Sequence, residues 1–235
     1  MNRLASFLAA IGHAVLSALQ GAGQIALFAI EAVTHLVRPP FYLKLFLRQL
    51  AEIGFFSLPV VALTAVFSGM VLALQSYSGF QRFSAAGAVA TVVVLSITRE
   101  LAPVLAGLMV AGRVGASMAA EIGTMRVTDQ IDALTTLSTN PMKYLVVPRL
   151  LAGTVALPLL VLVADILGVA GGFLVSVYKL GFNAGSYMHS TWQYLEFNDV
   201  FSGLVKAAVF GFVVALMGCY HGYNSKGGAQ GVGAA

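Results

Sequence analysis

Charged residues are scarce in this sequence, and that shortage excludes an ordinary soluble protein. Only 9% of the 235 residues are Asp, Glu, Lys or Arg, whereas 59% are hydrophobic. Roughly a quarter of the residues of an average soluble domain are charged, so water cannot be the main solvent for this surface. We therefore expect the surface to face a lipid bilayer.

Cysteines and basic clusters are also scarce, which excludes further classes. Cys219 is the only cysteine and lies in an apolar segment, so it can form neither an intramolecular disulfide nor the centre of a metal-ligand cluster. The 13 Lys and Arg residues never form a run, which argues against a nucleic-acid partner despite the net charge of +4. We predict no metal site and no nucleic-acid binding.

The chain also lacks a nucleotide-binding loop. Residues 107–114, GLMVAGRV, have the glycine spacing of a phosphate-binding loop but not its Lys followed by Ser or Thr. We therefore expect that the chain is not an enzyme and binds no cofactor itself. Any ATP must be handled by another protein.

Apolar runs long enough to cross a membrane are abundant. They predict an all-α membrane protein in which residues 1–235 form a single bundle with about four transmembrane helices. The predicted spans are 53–75, 85–112, 145–177 and 203–223. Residues 179–202 are predicted to form a mixed loop, and residues 224–235 a flexible Gly-rich tail.

The N-terminal region, residues 1–40, differs from these spans. Residues 4–37 are apolar overall but contain regularly placed polar residues, namely His13, Gln20, Gln24, Glu31 and His35. This pattern favours a helix lying along the membrane interface, ended by Pro39 and Pro40. The alternative is a signal peptide, because Arg3 precedes a short apolar run.

The basic residues predict the orientation of the bundle, because cytoplasmic loops carry an excess of Lys and Arg. With the N-terminus in the cytoplasm, nine basic residues are cytoplasmic: Arg3, Arg38, Lys44, Arg48, Arg113, Arg126, Lys143, Arg149 and Lys226. Three are outside: Arg82, Lys179 and Lys206. We therefore predict a cytoplasmic N-terminus.

Three charged residues lie well inside the predicted spans, far from the span ends. Arg99 and Glu100 lie in the second span and Asp165 in the third. An ionisable group in lipid costs a few kcal/mol or more unless it is paired or faces water, roughly as insertion scales indicate, so Arg99 and Glu100 are candidate functional residues. The alternative for that pair is a packing salt bridge, and Asp165 could equally form a helix-helix hydrogen bond or lie in a water-filled cavity.

Residues 121–141, EIGTMRVTDQIDALTTLSTNP, are polar enough to leave the membrane on the predicted cytoplasmic side. Met125, Ile131, Leu134 and Leu137 have approximately helical spacing and supply an apolar edge. The segment therefore fits a short helix that docks on a soluble partner, with an ordinary solvated loop as the alternative.

Elsewhere, small residues four apart predict close helix packing at Gly107 and Ala111, Gly168 and Gly172, and Gly218 and Gly222.

Several motifs, in order along the chain, resemble the MlaE-type permease family of bacterial ABC phospholipid transporters, which work with MCE proteins. They are GMVLALQSY, LSITRELAPVLAGLMVAGRVGASMAAEIGTMRVTDQIDAL, NPMKYLVVPRLLAG, ADILGVAGG and HGYNSKGGAQGVGAA. The resemblance covers the chain from about residue 45. Family members continue into a fifth transmembrane helix, which the resemblance implies is missing from this sequence.

The resemblance implies a homodimeric permease in the bacterial inner membrane that moves phospholipid between the inner and outer membranes or maintains outer-membrane lipid asymmetry. The implied partners are a cytoplasmic ABC ATPase, which carries ATP and Mg, and a periplasmic MCE-domain lipid-binding protein. A small cytoplasmic accessory subunit is a further candidate partner. A membrane scaffold that anchors the periplasmic protein without passing lipid is the alternative function.

The resemblance also implies two groups of site residues. Those of the lipid cavity between two copies are Leu72, Leu74, Gln75, Tyr77, Arg99 and Glu100. Those that couple to the ATPase are Glu121, Met125, Arg126, Asp129, Gln130, Ile131, Asp132 and Leu134.

Overall fold

The computed structural model describes residues 2–39, 42–83 and 85–234, and these residues form a helical bundle. Its helices are α1 (Asn2–Val37), α2 (Leu43–Phe80), α3 (Val89–Val127), α4 (Gln130–Thr136), α5 (Met142–Tyr178), α6 (Ala184–Tyr194), α7 (Phe197–Tyr223) and α8 (Gly228–Ala234). Two single 3₁₀ turns, Gln81–Phe83 and Ala86–Ala88, join α2 to α3. Pro40 of the predicted helix break lies outside the described residues.

The predicted all-α membrane class is confirmed. Helices α2, α5 and α7 contain three of the predicted spans, α3 contains residues 89–112 of the second span, and each helix is long and apolar enough to cross a membrane. Residues Ile11–Leu36 of α1 also meet this criterion, by length and composition. The interfacial location of α1 therefore stays a prediction.

Three predicted boundaries are wrong. The second span does not end at residue 112, since α3 continues to Val127. The predicted loop 179–202 contains α6 and the start of α7, and the tail 224–235 contains α8.

Polar capping residues explain why the sequence suggested a loop before α7. The Asn183 side chain accepts a hydrogen bond from the Ser186 amide at 3.0 Å at the start of α6. At the start of α7, Glu196 and Asp199 form a reciprocal capping box. Such residues satisfy the free amides of a first helical turn, so here they mark helix starts.

Helix α5 is the centre of the bundle and packs most extensively against α2 and α7. Glycines permit these contacts. A Cβ atom at Gly69 of α2 would overlap the Gly168 carbonyl of α5, and one at Gly153 of α5 would lie 2.8 Å from the Gly211 carbonyl of α7. Close backbone approach of this kind drives helix association where the hydrophobic effect is absent.

The predicted small-residue pairs are mostly confirmed as packing positions. Gly168 and Gly172 face α2 and α3, and Gly222 approaches the Ala119 carbonyl so closely that a Cβ atom would lie 2.7 Å from it. Gly107 differs, because its nearest neighbour is the Phe210 side chain. A flexible ring tolerates an added methyl group better than a backbone carbonyl does.

Candidate functional site

Arg99 and Glu100 lie in a π-helical turn, Ile97–Leu101, close to the start of α3. Pro103 follows it, and proline has no amide to donate to the carbonyl four residues earlier, that of Arg99. The Lys206 ammonium of α7 donates to this carbonyl at 2.9 Å instead. The local sequence thus creates a free carbonyl on α3, and a cation on α7 satisfies it.

Both charged side chains also find partners on α7. The Arg99 guanidinium bonds the Asp199 carboxylate at 2.6 Å, and the Glu100 carboxylate accepts from Lys206 at 2.7 Å. Each of the two charges thus has its own partner on a neighbouring helix. These two ion pairs attach the start of α3 to the first half of α7.

The exposure of the two side chains leaves room for a further role. Asp199 is buried, but 54% of the Arg99 side chain and 65% of the Glu100 side chain are uncovered within one chain. An uncovered charged side chain in a membrane span requires a polar environment, either a water-filled cavity or another subunit. Helix packing alone does not account for that exposure.

The other predicted cavity residues lie near the end of α2. Leu72 packs against the hydrophobic core, Leu74 is half-buried and Gln75 is exposed. The Tyr77 ring packs edge-on against Phe182 with centroids 5.8 Å apart. Their neighbours differ from those of Arg99 and Glu100 within one chain, so a cavity between two copies stays a prediction.

The predicted coupling segment is divided into two helices. Its first part, including Glu121, Met125 and Arg126, belongs to α3, and its second part is α4. Asp129 separates them with a φ of +57°, a left-handed conformation that Asp and Asn adopt more readily than most residues do. A single docking helix over the whole segment is therefore excluded.

The segment's side chains also divide between inward and outward directions. Arg126 pairs with Asp132 at 2.8 Å on the outer surface, where Gln130 is also exposed. Ile131 is buried, so it does not contribute to an apolar edge available to a partner. Met125 and Leu134 are half-buried, which leaves Leu137 as the exposed apolar residue.

Glu121 has a different environment from the rest of the segment. Its carboxylate pairs at 2.8 Å with Arg149, which is buried near the start of α5. The Arg149 guanidinium also donates to the Leu145 carbonyl at 2.7 Å. Glu121, which is half-exposed, thus links the surface of α3 to buried Arg149 of α5.

The sequence argument missed Asp199, Lys206 and Arg149 as partners of the predicted residues. Asp199 was assigned to a loop, and the two basic residues were counted only as orientation signals. The balance of charge was the available signal, because Arg99, Glu100 and Glu121 of α3 each require a countercharge from another helix. Which residues supply them depends on how the helices dock.

Comparison with known proteins agrees with this description. The family model described as Permease MlaE matches residues 46–235. A probable ABC transporter permease protein of Rickettsia bellii (strain RML369-C) is 61% identical over 225 residues, which cover 96% of this chain and 87% of the relative.

Two more distant relatives also align over most of this chain. A probable ABC transporter permease protein of Synechocystis sp. (strain ATCC 27184 / PCC 6803 / Kazusa) is 43% identical over 80% of this chain and 71% of its own length. The chloroplastic protein Trigalactosyldiacylglycerol 1 of Arabidopsis thaliana is 35% identical over 89% of this chain and 60% of its own length.

Proposed function

Because this chain belongs to the MlaE permease family, we propose that it is the membrane-spanning subunit of an ATP-driven phospholipid transporter. In this proposal two copies form the path for lipid in a bacterial inner membrane. The transporter moves phospholipid between the inner and outer membranes or maintains the lipid asymmetry of the outer membrane. ATP hydrolysis occurs on a separate ATPase subunit.

The uncovered charged pair of α3 is the observation that carries the proposal. Arg99 and Glu100 are held by α7, yet more than half of each side chain is uncovered inside an otherwise apolar bundle. A phospholipid headgroup carries a phosphate, which an Arg guanidinium binds well. The plant relative, which is named after a glycolipid, supports a lipid cargo.

We assign ATPase coupling to the α4 end of the bundle, meaning the end formed by α4 and the end of α3. This end presents exposed Asp129, Gln130 and Asp132 beside Arg126. Charged groups at an interface fix register and suppress wrong partners. Movement of α4 would reach the membrane through α3, whose Glu121 is tied to Arg149 of α5.

The remaining assignments follow from this orientation. The N-terminus is cytoplasmic, and the α6 end of the bundle, formed by α6 and the start of α7, is periplasmic. There an MCE-domain lipid-binding protein would exchange lipid with the permease. A small cytoplasmic accessory subunit would bind at the ATPase side.

Purification of the complex tests this function. The chain is purified with its ATPase, and the ATPase rate and co-purifying lipid are measured. The proposal predicts that phospholipid co-purifies and that the ATPase rate depends on this subunit. A complex that retains the periplasmic protein but contains no lipid would instead support a scaffold.

A further inference from the structure

Asp165 of α5 is a buried acid that the charged pairs described above do not use. It is only 6% exposed, and neither carboxylate oxygen has a hydrogen-bond partner among the described residues. Intramembrane acids are usually paired, because an unsatisfied carboxyl group in an apolar medium is strongly unfavourable. The environment of Asp165 therefore lacks a donor.

Neighbouring polar groups are already committed elsewhere. The Thr98 hydroxyl donates to the Val94 carbonyl at 2.9 Å, and the Thr191 hydroxyl donates to the Tyr187 carbonyl at 2.9 Å. The Arg99 guanidinium, one residue from Thr98, is paired through its Nε with Asp199 and makes no hydrogen bond to Asp165. None of these groups donates to Asp165, so a ligand can supply the missing donor.

Asp165 lines a cavity of about 420 Å³ at the α6 end of the bundle, between α3, α5, α6 and α7. Along α5 the lining extends from Leu162 to Phe173, a distance of about 16 Å at the rise of an α-helix. The other lining residues are apolar except for Thr98 and Thr191. A cavity of a few hundred Å³ with apolar walls and few polar groups is typical of small-molecule sites.

The cavity opens towards the side of the bundle. Ile166 of α5 and Trp192 of α6 line it, and both side chains are 69% exposed. Large exposed apolar residues on membrane-spanning and interfacial helices are typical of lipid-facing surfaces. A membrane-dissolved molecule can therefore enter from the bilayer without crossing the centre of the bundle.

We propose that this cavity is a binding site, within one chain, for a single-chain amphiphile whose primary amine pairs with Asp165. An ammonium group has three donors and no acceptor, and its charge compensates an ionised carboxylate. The apolar walls hold the alkyl chain. This site is separate from the lipid path proposed between two copies, and binding to it requires neither an ATPase nor transport.

The sole tryptophan of the chain provides a direct measurement, because Trp192 lines this cavity. The full chain in detergent is titrated with three probes that share one brominated alkyl chain and end in an amine, an alcohol or a carboxylic acid. Bromine quenches tryptophan fluorescence on contact. We expect saturable quenching, with the amine binding about tenfold or more tightly than the alcohol, since a charge-assisted hydrogen bond is worth roughly that factor.

Two variants measure separately how Asp165 and the apolar walls contribute to probe binding. Asp165→Asn should weaken amine binding about tenfold and abolish the preference over the alcohol. Ala170→Phe places a ring in the cavity and should weaken all three probes while Asp165 remains. The matched control Asp132→Asn removes an acid at the opposite end and should leave binding unchanged.

Equal quenching by all three probes, or amine quenching that neither variant weakens, would overturn the proposal. If Asp165→Asn does not fold, the amine preference of the parent and the weaker quenching by all three probes in Ala170→Phe decide the question. Failure of this test leaves the transport proposal intact, because the measurement uses neither the partner proteins nor ATP.

Discussion

Individual charges in the membrane lie where two helices meet. Arg99 and Glu100 pair with residues of α7, and Glu121 pairs with Arg149 of α5. Each pair compensates a group that would otherwise be very unfavourable in lipid. Glu100 is the most exposed of these, so most of its side chain stays accessible beside the ion pair.

We expect Glu100→Ala to reduce lipid transport more than protein abundance. The Glu100 side chain is largely uncovered, so its removal leaves little empty volume and should affect folding little. A path for lipid headgroups would, however, lose one of the charged groups that line it. Lipid transport in cells and abundance by quantitative immunoblot measure the two effects.

The double variant Glu100→Lys with Lys206→Glu is the matched control. It keeps an ion pair with reversed charge but loses the Lys206 donor to the Arg99 carbonyl, so abundance should fall modestly and transport should not recover. Transport and abundance that fall in parallel in Glu100→Ala, and recover together in the double variant, would support a packing role.

The sequence was sufficient to identify Arg99, Glu100 and Asp165, because charge in an apolar run is visible without a structure. It could not identify Asp199 and Lys206 as partners, since they lie about 100 residues further along the chain. Nor could it show that Asp165 has no hydrogen-bond partner among the described residues, whereas Arg99 and Glu100 are paired.

At the scale of helices, backbone contact between α2 and α5 sets the packing. We expect Gly69→Ala to destabilise the bundle by about 1–3 kcal/mol, the usual range for overpacking, because the new methyl group meets the Gly168 carbonyl. Unfolding of the purified protein by heat or denaturant, followed by circular dichroism, provides the measurement.

Gly54→Ala is the control on the same helix. A Cβ atom at Gly54 has no neighbour within 4 Å among the described residues, so this variant should be neutral or slightly stabilising. Equal stability of the two variants would mean that α2 and α5 separate easily.

Charge on α4 is expected to hold the ATPase. Asp132→Lys should weaken co-purification of the ATPase and reduce its coupling to transport, because a mismatched charge at an interface can cost several kcal/mol, roughly. Its lost pair with Arg126 is exposed and is worth about 1 kcal/mol or less, so abundance should be nearly unchanged.

Asp129 requires a different substitution. Its left-handed backbone disfavours Lys, so Asp129→Lys would mix strain with charge reversal, whereas Asp129→Asn removes the charge and retains the conformation. Asp129→Asn and Asp132→Asn should each have a smaller effect than Asp132→Lys. If all three variants bind the ATPase fully and transport lipid normally, the coupling contact lies in another part of the chain.

Helix identity was more predictable than helix boundaries. Apolar runs gave all four predicted spans, because their length is set by the membrane. The sequence did not predict α6 or α8, since an 11-residue and a seven-residue helix contain too few turns for a clear period. The break at Asp129 depends on one backbone conformation, which composition does not reveal.

For the whole molecule, the orientation stays a prediction, and two residues drop out of its charge count. Arg149 is buried and Lys206 of α7 is paired with Glu100 of α3, so the count of basic residues changes from nine against three to eight against two. A reporter fused at Lys143 should be cytoplasmic and one fused at Asn183 periplasmic, because these residues flank opposite ends of α5. The reverse pattern would show that the orientation of the bundle is opposite to the predicted one. The α4 end could then not be the end that couples to the ATPase.

Transport in a defined system tests the central claim most directly. The chain is reconstituted in liposomes with its ATPase and periplasmic partner, and transfer of a fluorescent phospholipid is followed over time. We predict that transfer requires both ATP and this subunit. We also predict that Glu100→Ala reduces the transfer rate without changing assembly of the complex. Assembly of the full complex with no ATP-dependent movement of phospholipid in either direction would contradict the account.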